Sequence, residues 1–251
     1  GEHMAYGTVA KGIGQDYWYS AIDANRGVNL YHYEQGREQT VMPLNSLASM
    51  DVNGTGQVLI SQLEHCGQYG KYYDLYLLNQ GTLTRLSHCG RYRMAKWVNN
   101  ERILALHYES GEGVLQYLDN NGQVLKELWR GQPDQIMSSF DVSDSGDIVA
   151  SIKFSQRPWN LYLWREGQWR ALTSDAEVQT RPEFFGEDIY YIQSQLGQSE
   201  IYKISPDGKT GVRLSHGLGG FKQLVANSAD SAVALSYGEE GYKLVRVKLN
   251  S

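Results

Sequence analysis

The stretch Ser199–Gly217, SEIYKISPDGKTGVRLSHG, carries at its centre Ser205-Pro206-Asp207-Gly208-Lys209, a composition that suits either a ligand loop or a turn. A turn that a fold requires recurs wherever the fold repeats, whereas a catalytic loop need occur only once. Two further stretches have the same form: YDLYLLNQGTLTRLSH, Tyr73–His88, and WNLYLWREGQWRALTSD, Trp159–Asp175. Each runs from an aliphatic residue with Tyr through an apolar run and a Gly turn to Arg-Leu-Ser or Ala-Leu-Thr. The polar centre is therefore read as a turn.

Anchoring on the apolar pair of each copy gives Leu30-Tyr31, Leu75-Tyr76, Leu115-Gln116, Leu161-Tyr162, Ile201-Tyr202 and the degraded Leu244-Val245, spaced 45, 40, 46, 40 and 43 residues apart. A period in the low forties with four short strands per unit is that of a β-propeller blade, and six anchors mean six blades. In the fourth unit alternation and turn residues place inner strand a over Ser138–Val142, b over Ile148–Phe154, c over Asn160–Arg165 and outer strand d over Gln168–Thr173. The expected fold is an all-β, six-bladed β-propeller of four-stranded antiparallel blades. The sixth blade ends with strand c at Tyr242–Leu249 and so lacks its outer strand. Two closures are open. Tyr6–Lys11 is strand a of the first blade and the missing strand comes from preceding sequence, or Tyr6–Lys11 itself pairs onto the sixth blade.

The unit RPEFFGEDIYYIQSQLGQSEIYKISPDGKTGVRLS, Arg181–Ser215, resembles the TolB-like, or PD40, propeller repeat, with its Pro-x-aromatic start, Gly-containing turn, Glu-Ile-Tyr, Asp-Gly and Arg-Leu-Ser. The copies together cover nearly the whole chain. Most a-to-b turns depart from the family's Ser-Pro-Asp-Gly, and the Gly-His and Trp-Asp pairing of WD40 blades is absent from the sequence. The resemblance implies a non-enzymatic module of the bacterial cell envelope that holds peptides or partner domains on its loop face and central channel. Residues 1–4, Gly-Glu-His-Met, read as a tag remnant, and 5–251 as one propeller domain, the C-terminal domain of a longer protein.

A net charge of −5 with mixed signs and a sequence pI near 5.7 speaks against a nucleic-acid surface, which needs clustered cations. The sequence has no apolar run long enough to span a bilayer as a helix. The only cysteines lie in a doubled tripeptide, His65-Cys66-Gly67 and His88-Cys89-Gly90, on loops that share one face of a blade. A Cys66–Cys89 disulfide, implying an oxidising compartment such as a periplasm, competes with two free thiols and with a two-Cys, two-His zinc site.

Asp51-Val52-Asn53-Gly54-Thr55-Gly56 imitates a calcium loop, but Gln62 stands where a bidentate Glu is needed, so it reads as a turn. No Gly-x-Ser-x-Gly, His-Glu-x-x-His or Cys-x-x-Cys is present, and no cofactor or catalytic residue is assigned. Asp51 and Asp141 read as turn formers, with Glu183 the remaining acid of the inner strands. His32 and His107 read as structural. The candidate partner-binding residues are Arg91, Tyr92, Arg93, Arg157, Trp159, Arg181, His216 and Lys222, because Arg and aromatic residues anchor interfaces. Glu109, Glu112, Glu239 and Glu240 are nearby ion-pair partners. The expected function is protein or peptide binding. The alternative is an accessory propeller that presents substrate to a hydrolase or peptidase domain lying upstream.

Overall fold

The computed structural model describes residues 3–46, 49–68, 70–174, 176–208, 210–217 and 219–250. Gly1 and Glu2 of the expected tag remnant, Asp175 and Lys209 lie outside the described residues. Period-2 alternation bounded by Gly, Asn and Asp turns produces strands throughout, with no helix among the described residues. Blade 1 holds β1 (Ala5–Lys11), β2 (Tyr17–Asp23), β3 (Gly27–Glu34) and β4 (Arg37–Pro43). Blade 2 holds β5 (Ser49–Val52), β6 (Val58–His65), β7 (Lys71–Asn79) and β8 (Thr82–Arg85). Blade 3 holds β9 (Tyr92–Trp97), β10 (Arg102–Glu109), β11 (Glu112–Asp119) and β12 (Val124–Arg130). Blade 4 holds β13 (Gln135–Val142), β14 (Ile148–Phe154), β15 (Asn160–Arg165) and β16 (Gln168–Ala171). Blade 5 holds β17 (Val178–Phe185), β18 (Asp188–Gln195), β19 (Gln198–Ile204) and β20 (Val212–Arg213). Blade 6 holds β21 (Phe221–Ser228), β22 (Ser231–Gly238) and β23 (Gly241–Lys248).

Every blade is an antiparallel meander in chain order; five have four strands and the sixth has three. The fold is the six-bladed β-propeller that the repeat predicts. β1 pairs with β2 from Ala5↔Ile22 to Lys11↔Tyr17, which makes it the inner strand of blade 1 and not a closing strand of blade 6. The chain forms two compact units, residues 1–131 with blades 1 to 3 and residues 132–251 with blades 4 to 6.

Within each unit the blades pack face to face through aliphatic residues. Leu30, Val58 and Ile60 fill the space between blades 1 and 2, and Leu59, Leu75 and Ile103 that between blades 2 and 3. Val149, Leu161 and Ile189 do the same between blades 4 and 5, and Ile192, Ile201 and Ala234 between blades 5 and 6. The anchors Leu30, Leu75, Leu115, Leu161 and Ile201 are all 0 % exposed, whereas Leu244 is only half-buried. The difference follows from the outer strand, which covers the first five anchors and, among the described residues, has no counterpart over the sixth.

The Arg-Leu-Ser phrase closes a blade through a polar clamp. In blade 2, Leu86 N donates to Leu75 O at 2.8 Å and Leu75 N donates to Ser87 Oγ at 2.9 Å. The residue before the anchor, Asp74, is 0 % exposed and accepts from Ser87 Oγ (2.7 Å), Arg85 Nη2 (3.0 Å), Cys89 N (2.9 Å) and Gly90 N (2.8 Å). Blade 5 repeats it: Leu214 N donates to Ile201 O at 2.8 Å and Ile201 N to Ser215 Oγ at 2.8 Å. There Glu200 accepts from Ser215 Oγ and pairs with Arg213 at 3.4 Å. Blade 4 is the neutral version. Leu172 N meets Leu161 O, Leu161 N meets Thr173 Oγ1, and Asn160 with Gln179 stands where the acid stands elsewhere. Blades 1 and 3 close differently, with Leu44 N on Val28 O and Gly131 N on Gly113 O.

The turn that opened the sequence question docks on the preceding blade. Pro206 O accepts from Arg170 Nη2 at 2.6 Å, and Gly208, at φ +63°, lies where an added Cβ would fall 2.9 Å from Leu172 Cδ2. Gly122, at φ +86°, sits tighter still, 2.2 Å from Leu86 O by the same measure. Asp51 and Asp141 correct the expectation that they form turns. Asp51 Oδ2 accepts from Trp97 N and Asp141 Oδ2 from Phe184 N, each at 2.7 Å, so each stitches its inner strand to that of the next blade. The turn formers are Asn53, whose Oδ1 accepts from Thr55 N and Gln57 N, and Ser143, whose Oγ accepts from Asp147 N. His3, assigned from sequence to the tag remnant, is buried, bonding Glu38 at 2.8 Å and tilting over the Tyr31 ring.

Candidate functional site

Loops joining strands b to c, and strand d to the next strand a, lie on one face of a blade, and the structure joins two of them covalently. Cys66 and Cys89 form a disulfide with Cα atoms 5.3 Å apart, which decides among the three sequence alternatives. Cys89 N also donates to Asp74, so the bridged loop is held onto the clamp of blade 2.

The inner strands are bulged near this face. Gly7, Arg93, Ser138 and Lys222 are extra residues in β1, β9, β13 and β21, and Arg181-Pro182 stands against a single residue of β18. A bulge re-aims its side chain away from the regular pleat, and three of these positions are cationic. Arg91 and Arg181 additionally hold φ values of +57° and +53°, a conformation that L residues adopt rarely.

In the first unit Arg91 lies 4.2 Å over the Tyr72 ring and Arg93 5.7 Å over that of Tyr108. Tyr92 between them is 7 % exposed and donates to Gln116 Oε1 at 3.0 Å, with its hydroxyl pKa raised by burial and by the charge of Asp74. It serves the core, and its carbonyl takes Ser61 Oγ. His107 packs on the Tyr92 ring, and burial lowers its pKa. Arg130 gathers Glu109, Glu112 and Glu127 at 3.0, 3.2 and 2.7 Å, so the ion pairing of Glu109 and Glu112 is with Arg130, outside the candidate set.

In the second unit Lys222 Nζ lies 4.5 Å over Tyr242, whose ring meets Tyr237 edge-on at 5.4 Å. Tyr237 is 66 % exposed. Burial lowers the Lys222 pKa, and the charge of Arg181 on the neighbouring inner strand lowers it further. Arg181 N donates to Ser139 Oγ at 3.2 Å. Lys222 thus lies over Tyr242 beside the exposed Tyr237, and the charge of Arg181 acts on it from the neighbouring inner strand. Arg157 and His216 are exposed. Trp159 is half-buried, and its carbonyl takes Gln179 N at 2.8 Å, a structural role for its backbone. Sequence reasoning missed Tyr237 and Tyr242; the available signal was a Tyr on each side of the Gly238–Gly241 hairpin.

Among the described residues one His and carboxylate group, Asp16, His32 and Glu34, is compact enough to hold a metal ion. Asp16 and Glu34 address opposite nitrogens of the imidazole at 3.6 and 3.7 Å, and Trp18 stacks on the ring at 3.9 Å. That arrangement fits an imidazole packed between an indole and two carboxylates, the structural reading of His32.

No family model matches the sequence, and no curated protein matches it. The solved structures do. TolB from Acinetobacter baumannii superposes with a TM-score of 0.66 at 15% identity, over 82% of this chain and 53% of that one. The fold is the TolB-type propeller. The β-propeller domain of the Trilobed protease from Pyrococcus furiosus, whose structure shows an open velcro topology, matches over 100% of this chain and 99% of its own, at 11% identity and a TM-score of 0.62. The tricorn protease matches over 100% of this chain and 27% of its own, at 13% identity and a TM-score of 0.68. This chain therefore spans about half the length of TolB and about a quarter of the tricorn protease, and at these identities the likeness concerns the fold.

Proposed function

We propose that this chain is a non-enzymatic propeller module that binds an anionic segment of a partner protein on its loop face. The observation that carries this reading is Lys222 over Tyr242 beside the exposed Tyr237, under the charge of Arg181. Lys222 is desolvated and feels the charge of Arg181, so a ligand carboxylate approaching it would be favoured, and the exposed Tyr237 offers that ligand apolar area. Arg91 and Arg93 over Tyr72 and Tyr108 supply a second cationic and aromatic group in the first unit. Arg157, Trp159 and His216 are peripheral members of the same proposal. The disulfide is consistent with an oxidising compartment, and the TolB-type fold favours a cell-envelope setting.

A second reading is favoured by the Trilobed and tricorn protease matches: a propeller that presents substrate to a peptidase domain of the same polypeptide. One experiment separates binding from its absence. Protein capture from envelope extract is compared between the wild type and Arg181→Ala/Lys222→Ala, both checked by circular dichroism. A partner retained by the wild type and lost by the variant supports the loop-face reading, and identical capture contradicts it. Cleavage products of that partner appearing only with the full-length parent would favour the peptidase reading.

A further inference from the structure

Among the described residues, the two-residue hairpins Gln35-Gly36, Gln80-Gly81, Ser110-Gly111, Glu166-Gly167 and Leu196-Gly197 hold both central residues in the left-handed region. A turn of this kind favours a short polar residue ahead of the glycine. The others carry a polar residue there, whereas Leu196 is apolar and 97 % exposed. Turn chemistry does not account for it. Leu196 stands instead at the rim of a cleft on the side of blade 5 that faces blade 4. The β18 and β19 register sets Ile189 opposite Ile204, Tyr191 opposite Tyr202, Gln193 opposite Glu200 and Gln195 opposite Gln198, all on one face. The Ile189 and Ile204 end packs on Val149 and Leu161 of blade 4, and beyond it two hollows open. One, of about 360 Å³, lies between Thr173, Ser174, Tyr191 and Tyr202. The other, of about 250 Å³, lies between Leu196, Gln198, Glu200 and Arg213. Gln193 and Tyr202 line both, so the hollows adjoin.

The lining says what such a cleft would hold. Among the described lining residues Glu200 is the acid and Arg213 the cation, and they pair at 3.4 Å, so the walls carry no net charge. The other polar groups are hydroxyls and side-chain amides; each of these types donates as well as accepts. Gln193 is fixed from behind: its Oε1 accepts from Nε2 of the buried Gln179 at 3.1 Å, and Gln179 in turn accepts from Thr173 Oγ1. Tyr202, half-buried and stacked on Tyr191 at 5.7 Å, adds an aromatic face. Both β18 and β19 are paired on each side, so the cleft offers side chains and not an open strand edge to which a peptide could add. Amides, hydroxyls, an aromatic face and an apolar rim without net charge match a ring that bears hydroxyls around its edge and C–H groups on its faces.

We propose that this cleft binds a neutral oligosaccharide of two or three sugar rings, with Tyr202 and Leu196 against C–H faces and Gln193 and Gln198 on ring hydroxyls. The two hollows set the length, since each is at or below the lower end of the roughly 300–1,000 Å³ of small-ligand sites and together they span more than one ring. The site shares no residue with the Arg181 and Lys222 group, so the two proposals fail independently.

The test titrates nitrogen-15-labelled protein with maltotriose, cellotriose and diacetylchitobiose, and with trigalacturonate and triglycine as charged and peptide controls. At least one neutral sugar is expected to shift the side-chain amide signals of Gln193 and Gln198 saturably, and neither control is expected to do so. Leu196→Asn restores the polar turn residue, so it should keep or raise the unfolding midpoint while weakening that sugar about fivefold. Tyr202→Leu keeps apolar bulk but removes the ring, and should weaken it about tenfold. The proposal is overturned by the absence of a saturable shift with every neutral sugar, or by shifts that spare Gln193 and Gln198. Tighter binding of either control, or an affinity unchanged in either folded variant, would overturn it equally.

Discussion

Replacing Asp74 by Ala tests whether the Arg-Leu-Ser clamp stabilises the blade or merely decorates it. The carboxylate is fully buried and accepts four donors, while its ion-pair partner Arg85 keeps 31 % of its side chain exposed. Breaking a buried pair by removing one partner costs about 3–5 kcal/mol when the remaining charge stays buried. Arg85 can turn partly to water and Cys89 lies on an exposed loop, so the lower end applies, about 3 kcal/mol. Asp74→Asn keeps one acceptor but sets an amide N–H₂ against donors, and should cost about half as much. Glu200→Ala should cost less than Asp74→Ala, about 2 kcal/mol, because two of its three contacts, those to Arg213 and Gly219, are at 3.4 Å. Guanidinium unfolding at pH 7 with the disulfide intact gives the three differences. A loss below about 1 kcal/mol for Asp74→Ala, the size of an ordinary surface change, would refute the clamp argument, as would a larger loss for Glu200→Ala.

Other consequences are open to direct measurement. Reducing Cys66–Cys89, or replacing both residues by Ser, should lower stability by about 3 kcal/mol, read as a shift in the unfolding midpoint with and without reductant. Gly122→Ala should cost about 2 kcal/mol or more, because the backbone is left-handed and Leu86 O leaves no room. Gly167→Ala, equally left-handed but in open space, should cost about 1 kcal/mol. Burial lowers the His107 pKa below its ordinary value near 6.5, so the fold favours the neutral ring. Its contribution is complete above pH 6.5 and is lost as pH falls through the lowered value, and His107→Gln should flatten that part of the stability profile.

The blades were legible because each repeats a short apolar anchor and a glycine turn, both local signals. The limits of b and c in blade 4 agree with the structure, and d there ends at Ala171, two residues before the expected Thr173. The clamp was not legible, although Arg-Leu-Ser was the phrase that identified the repeat. Asp74 and Ser87 are thirteen residues apart, and only the β7 and β8 register brings them together. Asp51 and Asp141 were misread for the same reason, since their acceptor oxygens serve strands 46 and 43 residues onward. Of the candidate site, Arg181 and Lys222 are legible in the sequence as cations at the start of a blade, but the bulges on which they sit leave no composition signal. Tyr237 and Tyr242 were missed because the sixth unit is the most degraded copy.

The loop-face claim is tested most directly by a photo-crosslinking phenylalanine placed at Tyr237, beside Lys222, with the same probe at Leu83 on outer strand β8 as control. Both positions are exposed, at 66 % and 41 %, so both probes are free to react. The account requires a discrete partner band at position 237 that is absent at 83 and disappears when Arg181 and Lys222 are both replaced by Ala. Equal labelling at the two positions, or a band that survives the double replacement, would contradict it.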